Sequence, residues 1–477
     1  MAIWRSFGGL MLNFHRSMRQ TWCNCSDLAS FQYSSAARGG GGGLFLGSGC
    51  FQKAAHFSPI RGSCWWCSPS LPTPPPVSPP SLSSSPLLML PPGVSVVDHK
   101  NSEKYSDDND TDYFHFFSLS EQSQFRVAKN IMIPWQRDLL TPDAAHCVGS
   151  CHGWLAFNHH HNCHPYLYNP LIDTPDFPYI PLPSFETLPT TAATRILKSD
   201  HLSGSPSLIE QWILSLHPWK HEENVSPKGM TGIYLQRLAM SSPPSVPSYF
   251  SSSCGNDCLI MAIHSPNAYI AFCKLGDDSW TTLDGSYGHY IDITYFSKDQ
   301  RFYAMRSYSD FEAWDLRDPS CPKRQVFDKV DDEEELRESY DCGAFDYLVE
   351  SSGDLLLVSR YIANSDQNAA YAYNTLGFDV HRFDFDNNKW KPVECLADRA
   401  LFMGNNTSFS LSTRDHPELM ENSIYFTDSV YSLSHVNPYS GHDNGVFHLK
   451  DHSIKPYYPS RLKINPPPVW VAPYTMQ

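Results

Sequence analysis

This 477-residue sequence has no long apolar run, no net positive charge and few helical patterns. No stretch approaches the roughly 18 consecutive apolar residues that a membrane-spanning helix needs, so no such helix is expected. The net charge of −15 argues against a general DNA- or RNA-binding protein, because phosphate binding needs a net basic face. The 38 prolines disfavour a mainly helical fold, since each removes a backbone donor and breaks a helix interior.

The composition nevertheless suits a folded core. Hydrophobic residues make up 41% of the chain and charged residues 18%, so wholesale disorder is not expected. At roughly 100–200 residues per domain, the length allows about two to four small domains, or one large domain with tails.

Acidic residues are almost absent from the first 97 positions, which contain Asp27 and six bases. Apolar side chains near the N-terminus recur every three or four positions and share one helical stripe: Trp4, Phe7, Met11, Phe14 and Met18. Arg5, Arg16 and Arg19 lie on the flank and far side of that stripe. Acid-poor, Arg-containing amphipathic ends of this kind are typical of organellar import signals. We predict a mitochondrial presequence, with a plastid signal and an ordinary N-terminal tail as alternatives.

Two low-complexity segments follow. Gly39–Gly43 is an uninterrupted glycine run, and residues 68–97 contain ten Pro and eight Ser. Neither can bury enough apolar surface to offset its ordering entropy. The resulting division is a presequence of low order (1–67), a Pro/Ser-rich and acidic linker (68–112), a folded domain (113–465) and a C-terminal tail (466–477).

The folded domain is patterned as short strands joined by polar turns. Cys258–Ile263 and Tyr269–Lys274 flank a Ser-Pro-Asn turn, and a Gly-Asp-Asp-Ser turn then leads to Trp280–Leu283. Similar units recur within residues 154–170, 290–316 and 347–393. Helical signals are sparse, and the best of them is the short segment 333–339.

Such meander units favour an all-β propeller. One sheet cannot cover both of its faces, whereas several sheets arranged radially bury each other's faces and leave only short edges. We predict that Trp280, Trp314 and Trp390 pack between neighbouring sheets. A β-sandwich with these residues in its core is the alternative.

Two groups of motifs resemble a large plant family. The opening group comprises Gly149–Leu155, Tyr168–Leu171 and Ile180–Pro183. The closing group comprises Ala397–Asn406, Ser408–Ser412, Pro417–Leu419 and Asn422–Asp428. Together they resemble the plant "domain of unknown function 295" group, also called the kinase-inhibitor-type (KIB) β-propeller domain and often found in F-box proteins. The resemblance covers roughly residues 113–459.

This resemblance implies a kelch-like β-propeller used for protein binding. In F-box members of the family, an N-terminal Leu-rich helical module docks to a ubiquitin-ligase scaffold and the propeller presents a substrate. Residues 1–112 instead offer the import-like helix, the glycine run and the Pro/Ser tract. The chain therefore resembles the branch that lacks the F-box and is sent to organelles.

Histidines and cysteines crowd one segment and raise the question of a zinc site. The candidate ligands are His146, Cys147, Cys151, His152, His159, His160, His161, Cys163 and His164. The spacing of Cys147 and Cys151 lies within the range that zinc sites use. However, His152 belongs to the opening motif and the triple histidine falls where a strand-connecting loop is expected. We therefore predict a polar loop, with a zinc site as the alternative.

Three further patterns have simpler interpretations. Asp384–Asn388 begins like a calcium loop, but Lys389 and Cys395 replace the required Gly and Glu, so a turn is predicted. The Cys64–Cys67 pair precedes a Pro/Ser tract rather than a helix, so its C-x-x-C spacing is read as accidental. The acidic run Asp328–Glu338 is typical of a solvated loop, although it could attract a basic partner.

No phosphate loop, nucleophile elbow or dinucleotide fingerprint is present in the sequence. We therefore predict no catalytic, cofactor-binding or metal-binding residues. The expected function is a non-catalytic propeller that binds a protein partner inside an organelle. Two alternatives remain open, namely an F-box-type substrate adaptor of a ubiquitin ligase and an enzyme with its site in the central channel.

Overall fold

The structure is a computed structural model, which describes 85–91, 94, 113–128, 145–159, 165–172, 179–184, 187, 235–244, 257–264, 268–283, 290–306, 311–327, 342–364, 373–429, 441–457, 464 and 467–473. All of these residues belong to one compact unit that spans Pro80–Gln477. The predicted presequence, the Cys64–Cys67 pair and the predicted helix at 333–339 lie outside the described residues.

The described residues form 25 strands in six sheets, which are the blades of a propeller. Blade one contains β1 (Leu87–Leu90), β2 (Tyr113–Ser118) and β3 (Ser123–Ala128). Blade two contains β4 (Ala145–Cys151), β5 (Trp154–His159), β6 (Pro165–Tyr168) and β7 (Tyr179–Pro181). Blade three contains β8 (Leu235–Met240), β9 (Leu259–His264), β10 (Tyr269–Lys274) and β11 (Thr281–Thr282).

The later blades are longer or more elaborate. Blade four contains β12 (Tyr290–Phe296), β13 (Arg301–Arg306), β14 (Phe311–Asp315) and β15 (Lys323–Phe327). Blade five contains β16 (Cys342–Ser351), β17 (Asp354–Asn364), β18 (Tyr373–Asp384) and β19 (Lys389–Pro392). Blade six contains β20 (Arg399–Met403), β21 (Phe409–Ser412), β22 (Ser423–Phe426), β23 (Gly445–His448) and β24 (Ser453–Lys455). In blade six β21 pairs with β20, and β20 runs parallel to β22.

The ring is closed by strands from opposite ends of the described chain. The last strand, β25 (Val469–Val471), pairs with β1, so blade one has the order β25-β1-β2-β3. Two predicted domain boundaries are therefore wrong. The predicted linker 68–112 contains β1, and the predicted tail 466–477 contains β25. A short apolar run can complete a sheet even inside a proline-rich segment when both neighbouring strands come from elsewhere in the chain.

Six clusters of buried apolar side chains hold the ring together, each built from two adjacent blades. This explains why the inner strands lack simple alternation, since a strand between two blades is buried on both faces. β10, for example, is buried at its four central positions. At about 25 cal/mol per Å² of buried apolar surface, these clusters are the main source of stability.

The three predicted tryptophans pack between blades, which confirms that expectation. Trp280 joins the cluster between blades two and three, and its Nε1 donates to Pro183 O at 2.6 Å. Trp314 lies between blades three and four. Trp390 packs between blades four and five, with its ring centroid 5.2 Å from that of Phe311.

Tight turns define one face of the ring, which we call the hairpin face. The turn between β4 and β5 has positive φ at His152 and Gly153, and the turn between β16 and β17 repeats this at Ser352 and Gly353. Two consecutive positive φ angles are typical of type I′ turns, whose twist matches that of antiparallel strands. The opposite face, called the connector face, lies at the other end of these strands.

Candidate functional site

Of the candidate zinc ligands, the structure describes the side chains of Cys147, Cys151 and His152, and the two cysteines pack in different interfaces between blades. Cys147 and Cys151 both lie on β4, but the strand pairing shifts between Cys147 and Gly149. Cys147 therefore packs at the interface of blades one and two, while Cys151 joins the cluster of blades two and three. No group of three metal-binding side chains occurs among the described residues. Residues 160–164 lie outside them.

Burial makes these thiols poor ligands and nucleophiles. It raises the pKa of Cys147 to about 12 and that of Cys151 to about 11, which keeps both protonated at neutral pH. His152 lies at the exposed turn after β4, and its Nε2 lies 3.2 Å from Met240 O at the end of β8. These three side chains contribute to the structure of blades one, two and three.

The calcium-like segment is a turn, as predicted. Asp384 Oδ1 accepts hydrogen bonds from the backbone amides of Asp386 and Asn387. Asp384 Oδ2 lies 2.5 Å from Lys391 Nζ, and this hydrogen bond is the largest of the effects that hold the pKa of Asp384 well below its usual range. The carboxylate is therefore used within the turn between β18 and β19.

The axis of the ring is filled by the segment between β20 and β21, which we call the central plug (Gly404–Ser408). Its Thr407 amide donates to Ser150 O on β4 at 2.9 Å. The Thr407 hydroxyl donates to Leu238 O on β8. A segment of blade six thus reaches the innermost strands of blades two and three, and a small cavity lies beside it, between Val148 and Asn405.

A glycine makes this close approach possible. A Cβ atom at Gly149 would lie less than 3.0 Å from Asn405 O, a separation that real Cβ atoms do not adopt. Gly149 belongs to the opening group of motifs, and Asn405 belongs to the closing group. Motifs more than 250 residues apart in the sequence therefore meet at the axis.

Arg237 on β8 connects the plug to the remaining blades. Its Nη1 donates to Gly404 O and to Asn406 O, both at 2.9 Å. Its Nε lies 3.7 Å from Asp292 Oδ1 on β12, and its guanidinium carbon lies 5.8 Å from the ring centroid of Tyr347 on β16. One cation thus contacts elements of blades four, five and six.

Asp292 lies on β12, and both of its carboxylate oxygens accept hydrogen bonds. The side chain is buried, its Oδ2 accepts the Leu348 amide at 2.8 Å, and its Oδ1 accepts the Ile293 amide at 3.0 Å. Burial raises its pKa, and the charge of Arg237 opposes this effect. The described geometry therefore uses this carboxyl to bridge blades four and five.

A second polar cluster joins blades five and six. The fully buried Arg360 on β17 donates to Asp443 Oδ2, Thr375 Oγ1 and Thr427 O, at 2.8, 2.8 and 2.9 Å. Nearby, the Tyr373 hydroxyl donates to Asp428 Oδ2 at 2.7 Å. A buried cation with this many acceptors is fixed in place, because breaking the arrangement would leave uncompensated charge.

Sequence reasoning missed both Arg237 and Arg360. The closing group of motifs is a recognisable pattern, yet nothing in it identifies Gly404–Ser408 as a plug. A Gly-Asn-Asn run predicts only a turn, and its partners lie on β4 and β8, far away in the sequence. Neither arginine lies in a recognisable motif, so no local signal could have found them.

Comparison with known proteins agrees with this geometry. Residues 116–448, which run from β2 to β23, match a family described as KIB1-4 beta-propeller. The chain belongs to the KIB1-4 beta-propeller family. The family match stops short of β1 and β25, which close the ring of this KIB1-4 propeller.

Relatives of this KIB1-4 propeller in Arabidopsis thaliana are named as F-box proteins. F-box protein SKIP23 is 26% identical over 236 residues, which is 45% of this chain and 53% of the relative. Putative F-box protein At3g25750 is 32% identical over 115 residues, or 24% and 29% of the two chains. Putative F-box protein At5g60060 is 29% identical over 163 residues, or 33% and 40%. The chain thus spans about half the length of the first relative and less of the other two.

Proposed function

We propose that this chain is a non-catalytic propeller that binds a protein partner inside an organelle, with the mitochondrion ahead of the plastid. The observation that carries the proposal is the plugged axis. Gly404–Ser408 lies against the innermost strands that surround the axis, and Arg237 and Asp292 beside it make contacts between blades. A partner would therefore bind on an outer surface of the ring.

The partner surface we propose is the connector face of blade five. There β16, β17 and β18 have 10, 11 and 12 residues, whereas β12 and β13 of blade four have 7 and 6. At about 3.3 Å per residue, the extra length corresponds to about 10–17 Å of strand. Leu376 on this part of β18 is 55% exposed, so its side chain is accessible to a partner that binds the connector face.

A matched pair of variants tests this surface. Leu376→Asp should abolish recovery of the partner found by proximity labelling with the intact chain. Val326→Asp is the control, because Val326 is similarly exposed at 60% but lies on the outer strand of blade four. Equal partner recovery with both variants would contradict the proposed surface.

Localisation tests the organellar part of the proposal. A fusion with a fluorescent protein at the C-terminus should accumulate in mitochondria. Replacing Arg5, Arg16 and Arg19 by Glu should leave the fusion diffuse in the cytosol, because import signals require the positive face. A diffuse signal from the unmodified chain would refute the organellar role.

A second candidate is the F-box-type substrate adaptor, which the names of the relatives favour. The similarity covers less than half of this chain in each case, and an adaptor also needs a module that docks to the ligase scaffold. Co-purification of a ubiquitin-ligase scaffold with the intact chain would support this candidate over the organellar one.

A further inference from the structure

Strand β1 lies inside the segment that the sequence predicts to be a linker, yet it is an interior strand of blade one. It pairs with β25 on one side, from Leu87↔Val471 to Met89↔Val469. On the other side it pairs with β2, from Leu87↔Ser118 to Leu90↔His115. Removing it would leave two strand edges without a partner at the place where the ring closes.

The leucine side chains of β1 are buried. Leu88 is completely buried, and it packs with Phe402 and Trp470 in the cluster between blades six and one. Leu87 faces the other way, into the cluster between blades one and two. β1 therefore contributes to two of the six interfaces between blades.

Polar contacts fix the chain on both sides of β1. Ser85 Oγ donates to Glu418 Oε1 on blade six at 2.5 Å. After the strand, Gln124 Nε2 on β3 donates to Val94 O at 2.7 Å. Ser85 is thus the first described residue with a contact to a neighbouring blade.

We infer that β1 is retained in the mature protein, so that any proteolytic removal of the basic N-terminal segment is confined to residues 1–84. A cut beyond Ser85 would remove the clamp to Glu418 first and then the strand that seals the ring. The proposed import explains only why the N-terminal segment would be cleaved. The position of the boundary is argued from the contacts of β1.

Cleavage of the intact chain in vitro tests the boundary independently of location. One variant carries a specific protease site inserted after Ser83, and a matched variant carries the same site after Val97, between β1 and β2. After cleavage, the first protein should keep the unfolding midpoint of the uncut chain. The second should unfold on the order of 10 °C lower and should lose the β1 fragment on gel filtration in mild urea.

Two results would overturn the inference: equal midpoints after the two cuts, or a loss of stability after the cut at Ser83. Mass spectrometry of the N-terminus of the protein recovered from plant cells adds a second readout. A mature protein that starts beyond Ser85 would refute the boundary. An uncut protein in the cytosol would refute import instead, and the in vitro comparison would still decide the boundary.

Discussion

The central plug makes Gly149 a position where a single methyl group should destabilise the whole ring. In Gly149→Ala, the new Cβ would lie less than 3.0 Å from Asn405 O, and the obstacle is backbone that no rotamer change can move. Overpacking of this kind costs about 1–3 kcal/mol. A shifted plug would also weaken the two hydrogen bonds from Arg237, and hydrogen bonds to charged groups are worth about 1.5–3 kcal/mol each. We expect a total loss of about 3 kcal/mol.

Gly377→Ala is the matched control for this experiment. Gly377 also lies in a strand, its φ is not in the left-handed region, and a Cβ there would meet Phe447 at an ordinary 3.7 Å. Removing glycine from a strand should leave stability unchanged or raise it by up to about 1 kcal/mol. Urea titrations of both variants, followed by tryptophan fluorescence, give the comparison. If Gly149→Ala proves as stable as Gly377→Ala, the plug does not hold the ring as described.

Three other predictions concern the same interior. Gly404→Ala should destabilise the protein because its Cβ would meet the Thr427 hydroxyl, and Thr427→Ala should restore about 1–2 kcal/mol in a double-mutant cycle measured by urea unfolding; additive losses would contradict the contact. Arg360→Met should cost about 3–5 kcal/mol by leaving Asp443 unpaired, and adding Asp443→Leu should recover most of that loss in the same assay. Burial lowers the pKa of His264 to about 4, so the folded protein cannot take up the proton that the unfolded chain binds below about pH 6.5. Stability should therefore fall by about 2 kcal/mol between pH 7 and pH 5, and a His264→Gln variant that retains the same fall would exclude His264 as its source.

Local patterns predict much of the fold because each strand carries its own signal. Tyr269–Lys274 is predicted and observed with the same bounds, and the predicted Cys258–Ile263 is offset by one residue from the observed Leu259–His264. The interblade tryptophans follow from the physics of packed sheets, which need large apolar side chains on both faces. Strand length in blade five is underestimated, since the segment before Tyr347 contains polar residues that read as a loop.

Features that depend on distant partners cannot be read in this way. β1 looks like part of a proline-rich linker because its partners are distant in the sequence: Leu90 pairs with His115, 25 positions away, and Leu88 pairs with Trp470, 382 positions away. The parallel pairing of β20 with β22 requires β21 to fold back to the inner edge of blade six, and no turn residue in the sequence predicts this arrangement. The plug has the same character, because Gly149 and Arg237 acquire their roles only when the ring is formed.

The position of β25 has a consequence for the gene. Blade one cannot be sealed until Val469–Val471 has been translated, which happens more than 370 codons after those of β1. A nonsense or frameshift allele that alters only the codons after 468 would remove the buried Trp470 and unseal the ring. Such an allele should behave as a null, even though it leaves the sequence of β1 to β24 unchanged.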